Sequence, residues 1–186
     1  MAIIKPNNNT ISAITALPSG MVSAPGLTTG KVLQVVTHTN SYSQNTTSTS
    51  YSDIQSSSGV TWEATITPTV STSVLLVIPS ISIFNAQPGS DTTQEKRYSL
   101  HCDVKDGSGS YSGFLEQNYL GNYAYQGTTK TYMNQSTFVT NTKQYDHNTT
   151  SQLTFRWQWK LHASGSEVGL NGDGKESSIT FMEIAT

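Results

Sequence analysis

The chain has 186 residues, a formal net charge of −2 and charged side chains at only 12% of positions. So weak a charge supplies no basic field to hold nucleic-acid phosphates by counterion release, and a single cysteine, Cys102, excludes an intramolecular disulfide framework. A domain of this length buries about 70% of its unfolded surface and does not need one.

Hydrophobic residues make up 34% of the chain, and Ser, Thr, Asn, Gln and Gly supply much of the rest. Such side chains suit strands, tight turns and solvent-facing sheets. The segment from Met1 to Asn9 lacks a charged start followed by a long apolar run, and the longest apolar run anywhere is Val74–Ile78. Neither a signal peptide nor a membrane-inserted span is therefore expected.

Residues 1–29 read as an irregular N-terminal arm. Pro6, Pro18 and Pro25 with Gly20, Gly26 and Gly30 interrupt every regular element, and the apolar residues Ile3, Ile4, Ile11, Ile14 and Leu17 are spaced along it. An arm of this kind can anchor a domain to a particle, these five residues making the contact, or it can pack on its own domain.

Residues 30–186 alternate strand and turn. Strands are predicted at Lys31–Thr39, Thr47–Ile54, Val60–Thr67, Val74–Phe84, Lys96–Lys105, Tyr111–Asn118, Thr131–Thr140, Gln152–Ala163 and Ser177–Ala185, with Gly, Asn and Pro turns between them. Val60, Trp62, Ala64 and Ile66 fall on one face of their strand, and Pro68 follows its end. Val74–Ile78 is apolar at consecutive positions, as expected of a strand covered on both faces or set at a subunit contact.

The clearest alternation is in Gln152–Ala163. Leu153, Phe155, Trp157, Trp159 and Leu161 share one face, while Thr154, Arg156, Gln158, Lys160 and His162 share the other, which predicts an antiparallel sheet buried on one side with its polar side in water. Cys102 alternates with Leu100 and Val104 and reads as a small buried hydrophobe. The sequence Asn171-Gly-Asp-Gly174 reads as a hairpin turn. With no convincing helix, these strands predict an all-β fold, an antiparallel two-sheet β-sandwich of jelly-roll type.

No catalytic or metal-binding constellation emerges. His38, His101, His147 and His162 are scattered without ligand spacing, and no serine sits in a nucleophile elbow. The carboxylates show no pattern that selects two for glycoside hydrolysis. No cofactor is expected. The best candidate surface lies between Tyr111 and Tyr145, where Tyr119, Tyr123, Tyr125, Tyr132 and Tyr145 alternate with Asn and Gln, a combination suited to stacking on sugar rings and bonding their hydroxyls. The same tyrosines would equally suit the sandwich core or a subunit contact.

Four stretches taken in order carry a resemblance: GKVLQVV at 30–36, TSTSYSDI at 47–54, ATITPTVSTSVLLVI at 64–78 and SSITFMEIA at 177–185. This order resembles a small module of virion structural proteins of tailed phages, especially marine and cyanobacterial ones. The resemblance spans roughly residues 30–186, although residues 87–143 contribute no motif to it. It implies a place on the virion surface and no enzymatic activity. The expected role is a head or tail fibre or decoration subunit, attached through its arm to a capsid, connector or tail protein. Two alternatives stand beside it: a receptor-binding tail-fibre tip for host surface glycans, and a small glycan-processing enzyme. Apolar residues on both faces of Val74–Ile78 and of the last strand predict a homo-oligomer, a trimer being the simplest.

Overall fold

The computed structural model describes residues 30–84, 93–95, 97–120, 123–125, 136–162 and 167–186. In chain order the strands are β1 (Val32–Asn40), β2 (Gln44–Thr46), β3 (Ser52–Asp53), β4 (Gln55–Ser57), β5 (Val60–Thr61), β6 (Glu63–Ile66), β7 (Val74–Phe84), β8 (Thr93–Glu95), β9 (Tyr98–Asp106), β10 (Ser112–Leu120), β11 (Tyr123–Tyr125), β12 (Ser136–Val139), β13 (Lys143–Asp146), β14 (Leu153–Leu161), β15 (Val168–Leu170) and β16 (Ser177–Ile184). Among the described residues the only helical element is a 3-10 turn at Gly172–Gly174.

Several strands are collinear. β1 and β2 pair along the line formed by β16 and β15, that line pairs along β7, and the far edge of β7 takes β13 and then β12. The second sheet runs from β10 through β9 and β14 to an edge made of β3 and β6. Every pairing is antiparallel. In chain order the first line therefore pairs with the last, the second with the next-to-last, and so on inward to the β9–β10 hairpin. That is the pairing of one long hairpin rolled into two facing sheets, the jelly roll.

Alternation fixes the register because a slip of one residue would turn every apolar side chain outward. From β14, Leu153, Phe155, Trp157, Trp159 and Leu161 point between the sheets and are buried. Leu75, Val77, Ile179 and Phe181 face them from the first sheet, Leu100, Cys102 and Val104 stand beside them, and burial pushes the Cys102 thiol well above its ordinary pKa. Phe155 joins the two sheets by ring contact with Phe181, centroids 4.9 Å apart.

Some local expectations are corrected. Residues 47–51 are not strand, because side chains capture the backbone there: Ser48 N–H donates to Thr46 Oγ1 at 3.2 Å and Ser50 N–H to Ser48 Oγ at 3.1 Å. Val60 does not share the buried face of Trp62, Ala64 and Ile66 but is 53% exposed. It sits in the β4–β5 hairpin, an excursion from the edge of the second sheet whose base is closed by Trp62 N–H donating to Ile54 O at 2.7 Å. Gly59, at φ +76°, makes the reversal.

Nor is the Asn171 segment a hairpin turn. β15 and β16 pair with the same edge of β7, so the chain jogs and continues without reversing. Asn171 adopts the left-handed conformation at φ 54°, and its buried amide donates to Asn40 O at 2.7 Å while accepting from Ser177 Oγ at 2.6 Å. An asparagine tolerates that backbone and stitches three segments at once.

The edges are broken throughout. A register shift interrupts β1 between Val32 and Gln34, two more interrupt β10, the β4–β5 excursion splits the other edge of the second sheet, and residues 140–142 separate β12 from β13. The β9–β10 hairpin is prolonged by β8 pairing with β11.

Candidate functional site

The outer face of the second sheet carries the densest polar constellation. Antiparallel partners share a face, so the register sets out its rows: Glu63, Arg156, Asp103 and Gly113 in one, Asp53, Gln158, His101 and Glu116 in the next. Arg156 is the centre. Its Nη2 donates to Asp103 Oδ2 at 2.6 Å, and its Nε lies 3.7 Å from Asp53 Oδ1. Gln158 Nε2 donates to Asp53 Oδ1 at 2.7 Å, and His101 Nε2 lies 2.7 Å from Asp103 Oδ1. Burial works to raise the Asp103 pKa, but the bonds from Arg156 and His101 outweigh it and hold the carboxyl below its ordinary value.

This face is therefore not the freely solvated one that the alternation of β14 predicts. A charge lattice fills it, because Arg156 meets carboxylates from the strands on both sides.

Two tyrosines lie over the lattice. The Arg156 guanidinium is 4.1 Å and the Lys105 ammonium 4.6 Å from the centroid of Tyr111, whose hydroxyl donates to Glu63. The Lys160 ammonium is 4.3 Å from the centroid of Tyr51, whose hydroxyl donates to Glu116 at 2.9 Å. Each ring is fixed by a tethered hydroxyl and a cation against its face. Burial and then the Glu116 bond push the Tyr51 hydroxyl up to about 12. Between them Gly113 is exposed, and a Cβ added there would stand 3.5 Å from the His101 ring. The two rings thus flank a position that carries no side chain.

The tyrosines singled out from sequence are distributed differently. Tyr145, in β13, is half-buried and packs edge-on against Phe114 and Phe155 at 5.4 and 5.7 Å between centroids, against the core. Tyr119 lies in β10, and Tyr123 and Tyr125 lie in β11. Tyr132 lies outside the described residues, as do the arm residues Ile3, Ile4, Ile11, Ile14 and Leu17. Sequence reasoning missed Tyr51 because it stands alone in a Ser/Thr run; only the pairing of Ser52 with Trp159 brings it beside β14.

The outer face of the first sheet is of opposite character. Val32, Ile184 and Val74 form one row that ends on Asp146, Val35, Met182 and Leu76 the next, which ends on Gln144, and Thr37, Thr180 and Ile78 a third. Val35 is 54% exposed and its neighbours are half-buried.

Inside the same sheet, Glu183 is fully buried. It accepts from Ser73 Oγ at 2.5 Å, from Thr69 N–H at 2.9 Å, from Val70 N–H at 3.1 Å and from Gln34 Nε2 at 2.7 Å. His147 Nε2 lies 3.2 Å from the same Ser73 hydroxyl. Among the described residues no three His, Cys, Asp or Glu side chains gather as metal ligands.

No protein-family model and no curated protein matches the sequence. Among solved structures, the chain is similar to one of the infectious bursal disease virus Gx strain, with 9% identity and a TM-score of 0.38 over 85% of this chain and 38% of that one. It is also similar to the D431N mutant of the VP2 protein of infectious bursal disease virus in T=1 particles, with 8% identity and a TM-score of 0.36 over 82% of this chain and 37% of that one. The chain thus spans well under half the length of these neighbours. The assignment of the fold rests on the strand order itself.

Proposed function

We propose that the chain is a non-enzymatic structural protein of a phage virion, a head or tail fibre or decoration subunit exposed on the particle surface. In this reading, residues 1–29 attach it to a capsid, connector or tail protein. The observation that carries the proposal is the outer face of the first sheet, where Val32, Ile184, Val74, Val35, Met182 and Leu76 form an apolar patch away from the core, bordered by Thr37, Thr180, Gln144 and Asp146. A contiguous apolar face is the kind of surface that protein neighbours cover, and here it fits other copies of the chain in a homo-oligomer, a trimer being the simplest.

The absence of an enzyme role is supported by how the carboxylates are used. Asp53 and Asp103 both engage Arg156, and Glu63 and Glu116 each accept a tyrosine hydroxyl. A glycosidase needs two carboxyl groups facing an open cleft with separate protonation roles, whereas these are engaged with their own neighbours.

A cryo-electron microscopy map of intact particles tests the proposal. Density for a jelly roll of this outline, with its N-terminal end at a head or tail protein, is the expected result. A particle purified to homogeneity that lacks the chain by mass spectrometry would overturn it.

A further inference from the structure

We propose that the sheet face between Tyr51 and Tyr111, across Gly113, is a binding site for a short, neutral oligosaccharide. The proposal does not depend on where, or whether, the chain sits on a particle. Arg156 and Lys160, whose cationic groups lie against Tyr111 and Tyr51, are four residues and so about 13 Å apart along β14, and the Tyr51 ring also lies 5.2 Å from the ring of His101, so the two tyrosines are held over separate rows of the sheet. That separation matches a few linked pyranose rings, with one at either end stacked on a tyrosine.

The rings are arranged in advance. Each phenol is tethered to a carboxylate, Tyr111 to Glu63 and Tyr51 to Glu116, and each ring has a cation from the sheet against it, so little side-chain freedom remains to be lost when a sugar stacks on the outward face. Sugar C–H faces are apolar and sugar hydroxyls are both donors and acceptors. The site answers with aromatic faces at the ends and, in the row of Asp53, Gln158, His101 and Glu116, with carboxylate oxygens whose remaining lone pairs can accept sugar hydroxyls beside the bonds they already hold to Gln158 and Tyr51. Gly113 completes the geometry, because any side chain there would rise from the floor beside His101.

The charge favours a neutral ligand. Four carboxylates, Asp53, Glu63, Asp103 and Glu116, stand against the three cations Arg156, Lys105 and Lys160, and the cations are turned toward carboxylates or ring faces. A sialylated or sulfated chain would meet no uncommitted positive group here, and would be repelled by exposed Glu116.

The test is titration of the full chain with cellotriose, maltotriose and chitotriose, and with 3′-sialyllactose and a heparin hexasaccharide as anionic probes, followed by calorimetry. At least one neutral probe is expected to bind, weakened about tenfold or more in Tyr51→Ala and in Tyr111→Ala. Gly113→Val supplies a variant that leaves both tyrosines in place: its Cβ meets nothing closer than 3.5 Å, so the fold holds while the floor is raised, and binding should be lost. If Tyr111→Ala fails to fold, Tyr51→Ala and Gly113→Val still decide the matter. No binding of any neutral probe up to about 10 mM, binding by anionic probes alone, or binding unchanged in the folded variants would overturn the proposal.

Discussion

Ser73 Oγ and Glu183 Oε1 lie 2.5 Å apart in the interior of the sandwich, joining the turn before β7 to the last strand. Burial works to raise the Glu183 pKa, but the donors Ser73, Thr69, Gln34 and Val70 outweigh it and bring the carboxyl from 4.5 to about 2. A carboxylate depressed in the folded state contributes stability that is complete above its unfolded pKa and is lost as pH falls toward the folded value. We expect about 3 kcal/mol of stability at neutral pH from this group, lost between about pH 4 and pH 2. Denaturant melts across that range should show the decline. Glu183→Gln should be less stable at pH 7, with the decline much flattened.

Trp157 and Arg156 are adjacent in sequence and opposite in environment. Trp157→Ala should cost about 3–5 kcal/mol through lost burial and a residual cavity. Arg156→Ala removes one of the two partners of Asp103 and one of the two cations against Tyr111, and should cost about 1–3 kcal/mol. Lys160→Ala, which removes only the cation beside Tyr51, should stay within about 0.5 kcal/mol. Urea melts of the three variants give the ordering directly, and an inverted order would mean that β14 is out of register by one residue.

Gly169 and Gly172 both lie against the ring of Phe84. A Cβ at Gly169 would fall 2.1 Å from the tip of that ring and 2.6 Å from Asn45 Oδ1. Gly169→Ala should therefore destabilise the protein by about 1–3 kcal/mol. Most of that penalty should vanish in a Phe84→Ala background, so a double-mutant cycle should return a large coupling energy. Additive effects would show that the ring does not occupy this position.

The apolar outer face gives an oligomer prediction. Light scattering at micromolar concentration should return a mass above the 20.1 kDa of one chain, three times that value for a trimer. Val35→Asp, at the most exposed apolar residue of this face, should shift the mass toward one chain without lowering the melting temperature of the monomer. A monomer in the unaltered protein would remove this part of the functional proposal.

Much of the fold was legible because alternation is a local property that burial enforces. The predicted Val74–Phe84 matches β7, and the predicted buried face of β14 is the observed one. What escaped was side-chain bonding to the backbone and long-range pairing. Hydroxyls of Thr46 and Ser48 divert the backbone where β propensity predicts a strand, and only the hydrogen bonds reveal it. Val60 continues the period of its neighbours yet leaves the sheet, because Ile54 and Trp62 close a hairpin beneath it. The two-faced apolar character of Val74–Ile78 was visible: Leu75 and Val77 are buried while Val74, Leu76 and Ile78 face outward, which leaves the subunit-contact alternative as the one proposed. For the candidate site, Tyr111 lay at the border of the segment singled out, whereas Tyr51 became visible only through the register of β3 on β14.

The interrupted edges bear on crowding. A row of unpaired N–H and C=O groups is a template on which another chain can add a strand, and the hazard grows with local concentration. Here a register shift, a hairpin excursion or a gap breaks each of the four outer lines. Two copies held side by side find only short uninterrupted runs to extend, such as Gln34–Asn40. Contact between them is directed to the sheet faces, where side chains choose the neighbour, and fibrous zippering along the backbone is denied a long template.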